Sequence, residues 1–160
     1  MNLGYSIANS FYHAFSKSDS AGMNVHYAEG ATFSDPIFME LSEFEVRGMW
    51  EMLCSSAKDF RLSYQIVDAS DTHVQVEWTA TYSFGPRNRR VENRVSTLME
   101  IVSGKITRQV DTFSFSRWAT QAIGPIGFIL GFFPFFRKKV QTNARAKLSE
   151  HLKKSLHAES

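Results

Sequence analysis

The chain opens with apolar residues four apart. Leu3, Ile7, Phe11 and Phe15 form a helical stripe, which predicts a helix over residues 3–17. In "SDSAGMNVHYAEGA", Asp19 or Ser20 can cap a second short helix, predicted through Tyr27 and ended by Gly30. "ATFSDP" then reads as a short strand. "SEFE" (42–45) is a capping box and predicts a helix to about Ala57. After Lys58 the apolar period changes to two. Residues 60–67 alternate Phe60, Leu62, Tyr64 and Ile66, and residues 73–84 alternate Val74, Val76, Trp78, Ala80, Tyr82 and Phe84. "GPRN" (85–88) is a turn, 91–101 a further strand, "VSG" (102–104) a three-residue hairpin loop with a left-handed glycine, and 106–118 the last strand.

Helices first and a strand meander afterwards define an α+β fold, an antiparallel sheet with helices over one face. Helices laid on the concave side of a curved sheet enclose a pocket. The turns fix which side chains meet. Closing the first hairpin at "GPRN" sets Phe84 against Arg89, Trp78 against Val95 and Ala80 against Asn93. Closing the second at "VSG" sets Ile101 against Lys105 and Val95 against Asp111. The apolar face, which must turn inward, then carries Trp78, Tyr82, Asn93, Val95, Thr97, Gln109, Asp111, Phe113 and Phe115.

Composition sharpens this picture. The chain has 160 residues, 43% apolar and 21% charged, as expected of one globular domain with a real core. Fourteen phenylalanines exceed what packing needs, and surplus rings line pockets or interfaces. Cys54 is the only cysteine; it suits a reducing, cytoplasmic setting and reads as a small core residue of a helix. The start "MNLGYSIANSFYHAF" has no signal-peptide pattern. Residues 137–160 hold seven lysines and arginines against two acids, a net of +5, so the remaining body carries −3. Basic charge confined to the tail argues against a nucleic-acid partner.

Two carboxylates stand out. Asp35, inside "ATFSDPIF", is either the turn-former of an Asp-Pro strand end or an acid–base group in the pocket wall. Asp111 is either a structural acid bonded to Asn93 or Gln109, or a second pocket acid. Inward carboxylates in an aromatic pocket have raised pKa values and are better general bases near neutrality. His13 and His26 read as surface or capping residues. No spacing of His, Cys and carboxylates suggests a metal, and there is no phosphate-binding glycine loop.

Helix, short helix, a strand ending in Asp-Pro, helix and long meander resemble the nuclear transport factor two-like superfamily, which includes ketosteroid isomerases, SnoaL-like polyketide cyclases and limonene epoxide hydrolases. "YAEGATFSDPIF" resembles the isomerase segment that carries the catalytic base. "GKITRQVDTF" resembles the last-strand signature, with an Asp seven residues after the hairpin glycine. The resemblance implies a cone-shaped domain over residues 1–118 with a C-terminal helical extension, 119–160. It also implies a pocket for a small apolar ligand and cofactor-independent isomerase, cyclase or lyase chemistry, with Asp35 and Asp111 catalytic. Phe11, Trp78, Tyr82, Asn93, Thr97, Gln109 and Phe113 are then the ligand-binding set, and a homodimer is expected. Two departures matter. Phe11 stands where the isomerases place an oxyanion-hole Tyr, with Tyr12 one residue off on another face, and Thr97 stands where they place a protonated Asp. Steroid isomerisation is therefore not expected. The Arg-Asp pair of the epoxide hydrolases falls near Trp78 and Ala80 and is also missing. A non-catalytic binding module stays open beside the enzyme.

"AIGPIGFILGFFPFF" (122–136) has fifteen uncharged residues, too few to span a bilayer and interrupted by Pro125, Pro134 and three glycines. Beyond it, Phe136, Val140, Ala144, Leu148, Leu152 and Leu156 form an i+4 stripe on a basic helix. Three readings of this extension stay open: a lid or packed hairpin over the domain, a dimer contact, or a membrane-surface contact. The first two predict that residues 119–136, with Phe128, Ile129, Leu130, Phe132, Phe133, Phe135 and Phe136, fold back over apolar surface, either the open end of their own cone or a partner subunit.

Overall fold

In the computed structural model, five strands form one curved sheet: β1 (Tyr27–Ser34), β2 (Lys58–Ala69), β3 (His73–Phe84), β4 (Arg89–Val102) and β5 (Lys105–Thr112), in the order β1-β5-β4-β3-β2. The structure describes all residues from Met1 to Ser160 except the side chain of Phe128. Strands β2 to β5 are an antiparallel meander, and β1 joins the β5 edge in parallel. Three helices precede or interrupt the sheet: α1 (Leu3–Ser16), α2 (Ser20–Asn24) and α3 (Glu43–Ser56). Three more follow it: α4 (Phe115–Ile123), α5 (Pro125–Leu130) and α6 (Pro134–Ala158).

Local chemistry accounts for the helix starts. The Asn2 side chain accepts from Tyr5 N–H at the head of α1, and Asp19 does the same for Gly22 in α2. Ser42 and Glu45 make the full capping box of α3. Helix α1 buries Ile7, Ala8, Phe11, Tyr12 and Phe15. Phe15 stacks on Phe60 at 5.2 Å and meets Trp50 and Trp78 edge-on at 5.0 and 5.4 Å. Each such ring gains roughly 1.5–3 kcal/mol by leaving water, so this aromatic cluster is what clamps the helices to the concave face.

The predicted elements and the observed ones part in four places. The second helix stops at Asn24, and Tyr27 already begins β1 with its side chain buried. The last strand stops at Thr112, because Ser114 caps a new helix by accepting from Arg117 N–H, and Phe115 is therefore helical. The first hairpin has the predicted register, Trp78 against Val95 and Ala80 against Asn93. The second is shifted by two residues: Thr97, not Val95, faces Asp111. Its loop is only Ser103-Gly104, with φ of 49° and 77°, and a bulge between Glu100 and Ile101 takes up the extra residue. Next to the loop the shift is one, with Ile101 facing Ile106; beyond the bulge it is two, which leaves Gln109 and Asp111 on their predicted inward face.

The fourth difference lies in the extension. It is α6 that packs on the domain, across α3. Leu148 is fully buried, Arg145 reaches Glu45 at 2.6 Å and the Glu40 carbonyl at 3.2 Å, and Gln141 donates to the Pro36 carbonyl at 3.0 Å. The phenylalanine run does not fold back over its own domain: Ile129, Phe132, Phe133 and Phe135 are exposed, whereas Leu130 is half-buried and Phe136 packs against Phe115. Phe128, which belongs to that run, lies outside the described side chains. Burial on α3 is available to α6 because its stripe carries aliphatic side chains between polar ones, whereas the glycines and prolines of 122–136 allow only one short helix.

Candidate active site

Asp111 lies on β5 directly opposite Thr97 on β4. It is 4% exposed. The Thr97 hydroxyl donates to its Oδ1 at 2.7 Å, and Gln109 Nε2 donates to the same oxygen at 3.2 Å. Both donors are themselves held. Thr97 Oγ1 accepts from Trp78 Nε1 at 2.8 Å. Gln109 Oε1 accepts from the Tyr27 hydroxyl at 2.7 Å, which accepts from Trp50 Nε1 at 2.8 Å. A buried relay thus runs from α3 through β1 and β5 to the carboxylate. Its fixed polarity aims donors at Oδ1 and leaves Oδ2 without a protein hydrogen bond among the described residues.

Asp35 sits half-buried where β1 meets Pro36. Its Oδ1 accepts from Ile37 N–H at 2.7 Å and Phe38 N–H at 2.5 Å, and its own N–H donates to the Phe38 carbonyl at 2.9 Å. The Asp-Pro turn is therefore real, and it also fixes the carboxylate at the wall of a cavity.

That cavity has a volume of about 580 Å³. Trp78, Ala80, Tyr82, Asn93, Val95, Asp111 and Phe113 line it from the sheet side, Met49, Trp50 and Leu53 from α3, and Val140, Asn143, Ala144 and Lys147 from α6. Asp35 and Asp111 both line it. A second depression, about 650 Å³, lies outside the sheet among Glu92, Arg94 and Arg117; its charged groups are solvated, with Glu92 and Arg94 paired at 3.2 Å. The inner cavity is the place where chemistry has buried groups to work with.

Burial pushes the Asp111 carboxyl up to about 7, against the pull of the Thr97 and Gln109 hydrogen bonds, and the Asp35 charge raises it further. Burial also pushes Asp35 up to about 6, and the Phe38 and Ile37 amides hold it back. Neither acid has a lysine or arginine ion-pair partner among the described residues. Cys54 lines the same cavity, but burial raises its thiol to about 11, which suits an inert wall residue. Among the described residues, no three His, Cys, Asp or Glu side chains cluster as metal ligands.

Six of the nine residues singled out in the sequence meet at this cavity: Asp35, Asp111, Trp78, Tyr82, Asn93 and Phe113. Phe11, Thr97 and Gln109 stand behind its wall. Phe11 is sealed between Tyr12, Tyr27 and Trp50, because the arc of α1 that it occupies faces the core and not the void. Thr97 and Gln109 are covered by the relay they belong to. Tyr12 lies on another arc of α1 from Phe11, against Tyr64 and Trp78. It is fully buried, its hydroxyl lies near Thr97 and Trp78, and it has no hydrogen-bond partner among the described residues. Thr97 has only one proton to give and gives it to Asp111. Tyr27 and Trp50 were not legible as site residues; the alternation of buried Tyr27, Ala31 and Phe33 along β1 was the available signal. His26 lies outside, sharing a 3.1 Å contact with Ser10 Oγ.

A SnoaL-like domain model matches residues 8–109, so the chain belongs to the SnoaL-like domain family. Solved structures agree on the fold. A protein from Catenulispora acidiphila with a ketosteroid isomerase-like fold, in complex with trimethylamine, has 15% identity and a TM-score of 0.64, with 74% of this chain and 93% of that one covered. A protein of unknown function from Burkholderia pseudomallei, with the fold of nuclear transport factor two, has 14% identity and a TM-score of 0.64, covering 76% and 98%. An LEH-like epoxide hydrolase from Mycobacterium tuberculosis has 16% identity and a TM-score of 0.58, covering 78% and 93%. No functionally curated protein matches the chain in sequence. The fold is thus that of the ketosteroid isomerase-like, nuclear transport factor two-like proteins.

Proposed function

We propose that the cavity binds a small, largely apolar molecule and that Asp35 and Asp111 act on it as acid–base groups, without a cofactor. The observation that carries this reading is that two carboxylic acids without cationic partners open into one aromatic-walled cavity. With Asp35 titrating below Asp111 and its charge raising Asp111, one acid can be ionised near neutrality while the other keeps its proton. The ionised member would remove a proton from the ligand and the protonated one return it elsewhere, which is the chemistry of an isomerase, cyclase or lyase. Trp78, Tyr82, Asn93 and Phe113 would contact the ligand, and Phe11, Thr97 and Gln109 would support the wall. A family whose fold also serves an epoxide hydrolase and a trimethylamine complex is compatible with this use.

One observation favours a second reading, a binding module without catalysis. Asp35 Oδ1 is occupied by two backbone N–H groups, as in a purely structural turn. Incubating the protein in deuterium oxide with a panel of small cyclic ketones and enones, followed by proton NMR, separates the two. The enzyme reading predicts exchange of protons next to the carbonyl, slowed about 10²-fold or more in Asp35→Asn or Asp111→Asn. Binding with no exchange supports the module, and no binding of any panel member sinks both.

A further inference from the structure

One group of exposed apolar residues, around α5 and the start of α6, does not line the cavity site. Helix α5 lies on α4 through its glycines. A Cβ on Gly127 would stand 2.3 Å from the Ala119 carbonyl oxygen, and one on Gly131 2.9 Å from Ser116 Cα. Only glycine allows that approach. With this side committed to α4, the opposite side of α5 and the segment after it must face water. Ile126, Ile129, Phe133 and Phe135 are 60%, 61%, 47% and 68% exposed. Isolated exposed apolar residues need no account, but four large ones on one short ridge do.

The charge around the ridge has one sign. Between Asp111 and Glu150 the chain holds Arg117, Arg137, Lys138, Lys139, Arg145 and Lys147 and no acid. Arg137, Lys138 and Lys139 follow Phe135 and Phe136 directly, are exposed, and have no acidic partner among the described residues. The β3–β4 tip adds to them from the other side. Arg89 Nε donates to the Gln121 carbonyl at 2.9 Å, and its guanidinium lies beside Gly124, which brings the neighbouring exposed Arg87 and Arg90 to the α4–α5 corner.

We infer that Ile126 and Ile129 of α5 with Phe133 and Phe135 at the start of α6, followed by Arg137, Lys138 and Lys139, seat the protein on an anionic lipid surface. Apolar side chains enter the interface while neighbouring cations meet the headgroups, and either alone holds weakly. No described helix is long and apolar enough to cross a membrane, so the contact is peripheral. A second copy of the chain would instead bring like-charged clusters together around its own ridge, and this charge repulsion disfavours it as the occupant.

Sedimentation of the full-length chain with vesicles tests this. Two sets are used, phosphatidylcholine alone and equal parts phosphatidylcholine and phosphatidylglycerol. The expected result is binding to the mixed vesicles only, lost at about 1 M salt, where charges are screened within about 3 Å. Lys138→Glu with Lys139→Glu should lower the partition at least about tenfold. Ile129→Ser with Phe135→Ser should lower it comparably while circular dichroism stays that of the parent, since these side chains hold no part of the core. Failure to sediment with the mixed vesicles, equal sedimentation with both kinds, or binding indifferent to both double variants overturns the inference. So does a concentration-dependent dimer that Ile129→Ser with Phe135→Ser dissociates in a chain that ignores vesicles; the ridge would then be a self-association face.

Discussion

Thr97 and Asp111 face each other across β4 and β5, and the Thr97 hydroxyl spends its one proton on Asp111 Oδ1 at 2.7 Å. The same oxygen of Thr97 accepts the Trp78 indole N–H at 2.8 Å. One small hydroxyl therefore orients both the deepest acid of the cavity and one of its aromatic walls.

Replacing Thr97 by Val keeps the shape and removes both functions of the hydroxyl. The indole N–H loses its acceptor and the carboxylate a donor, which should cost about 1–3 kcal/mol. Thr97→Ser should stay close to the parent. Urea unfolding of the two variants checks the contrast, and equal losses would mean that the hydroxyl holds nothing.

Stability should fall as pH rises from about 4 to about 7. Asp111 binds its proton more tightly when folded, up to about 7 against an ordinary 3.8, so between those values the folded state holds more protons than the unfolded chain. Stability then decreases with rising pH across that window, by at most a few kcal/mol at about 1.4 kcal/mol per pH unit. In Asp111→Asn the amide oxygen still accepts from Thr97 and Gln109, and there is no charge to bury. Its melting temperature should exceed that of the parent at pH 8 and approach it at pH 4, as thermal unfolding over pH would show.

Docking of α6 should rest on its apolar stripe and not on its ion pairs. Leu148 is fully buried, so Leu148→Ala should cost about 2–5 kcal/mol. The Arg145–Glu45 pair at 2.6 Å has an Arg side chain half in water, and Arg145→Ala should cost less than about 1 kcal/mol. Chemical denaturation of the two variants measures both; the reverse order would mean that charge holds the extension.

The α+β order, the capping box at Ser42 and the first hairpin were legible because each depends on local chemistry: an N-cap, a period, a turn. The second hairpin slipped because Ser103, like Gly104, takes a positive φ, and a residue other than glycine gives little warning of that. Asp35 and Asp111 were legible as pocket candidates through parity and the resemblance. The support behind Asp111 was not, because Tyr27 and Trp50 reach Gln109 from distant segments that only the packed fold brings together. The course of the extension was also hidden. Its hydrophobicity pointed to residues 122–136 as the packed part, whereas shape selected the less apolar but unbroken α6.

The central claim is that Asp35 and Asp111 are desolvated acids of one cavity, with the Asp35 charge raising Asp111. Carboxyl-carbon NMR of aspartate-labelled full-length protein, titrated from acid to alkaline pH, tests it most directly, with Asp35→Asn and Asp111→Asn assigning the two signals. The account predicts midpoints near 6 for Asp35 and near 7 for Asp111, and a downward move of Asp111 in Asp35→Asn as the neighbouring charge is lost. Titrations of both near the ordinary 3.8, with Asp111 unmoved by loss of Asp35, would contradict it.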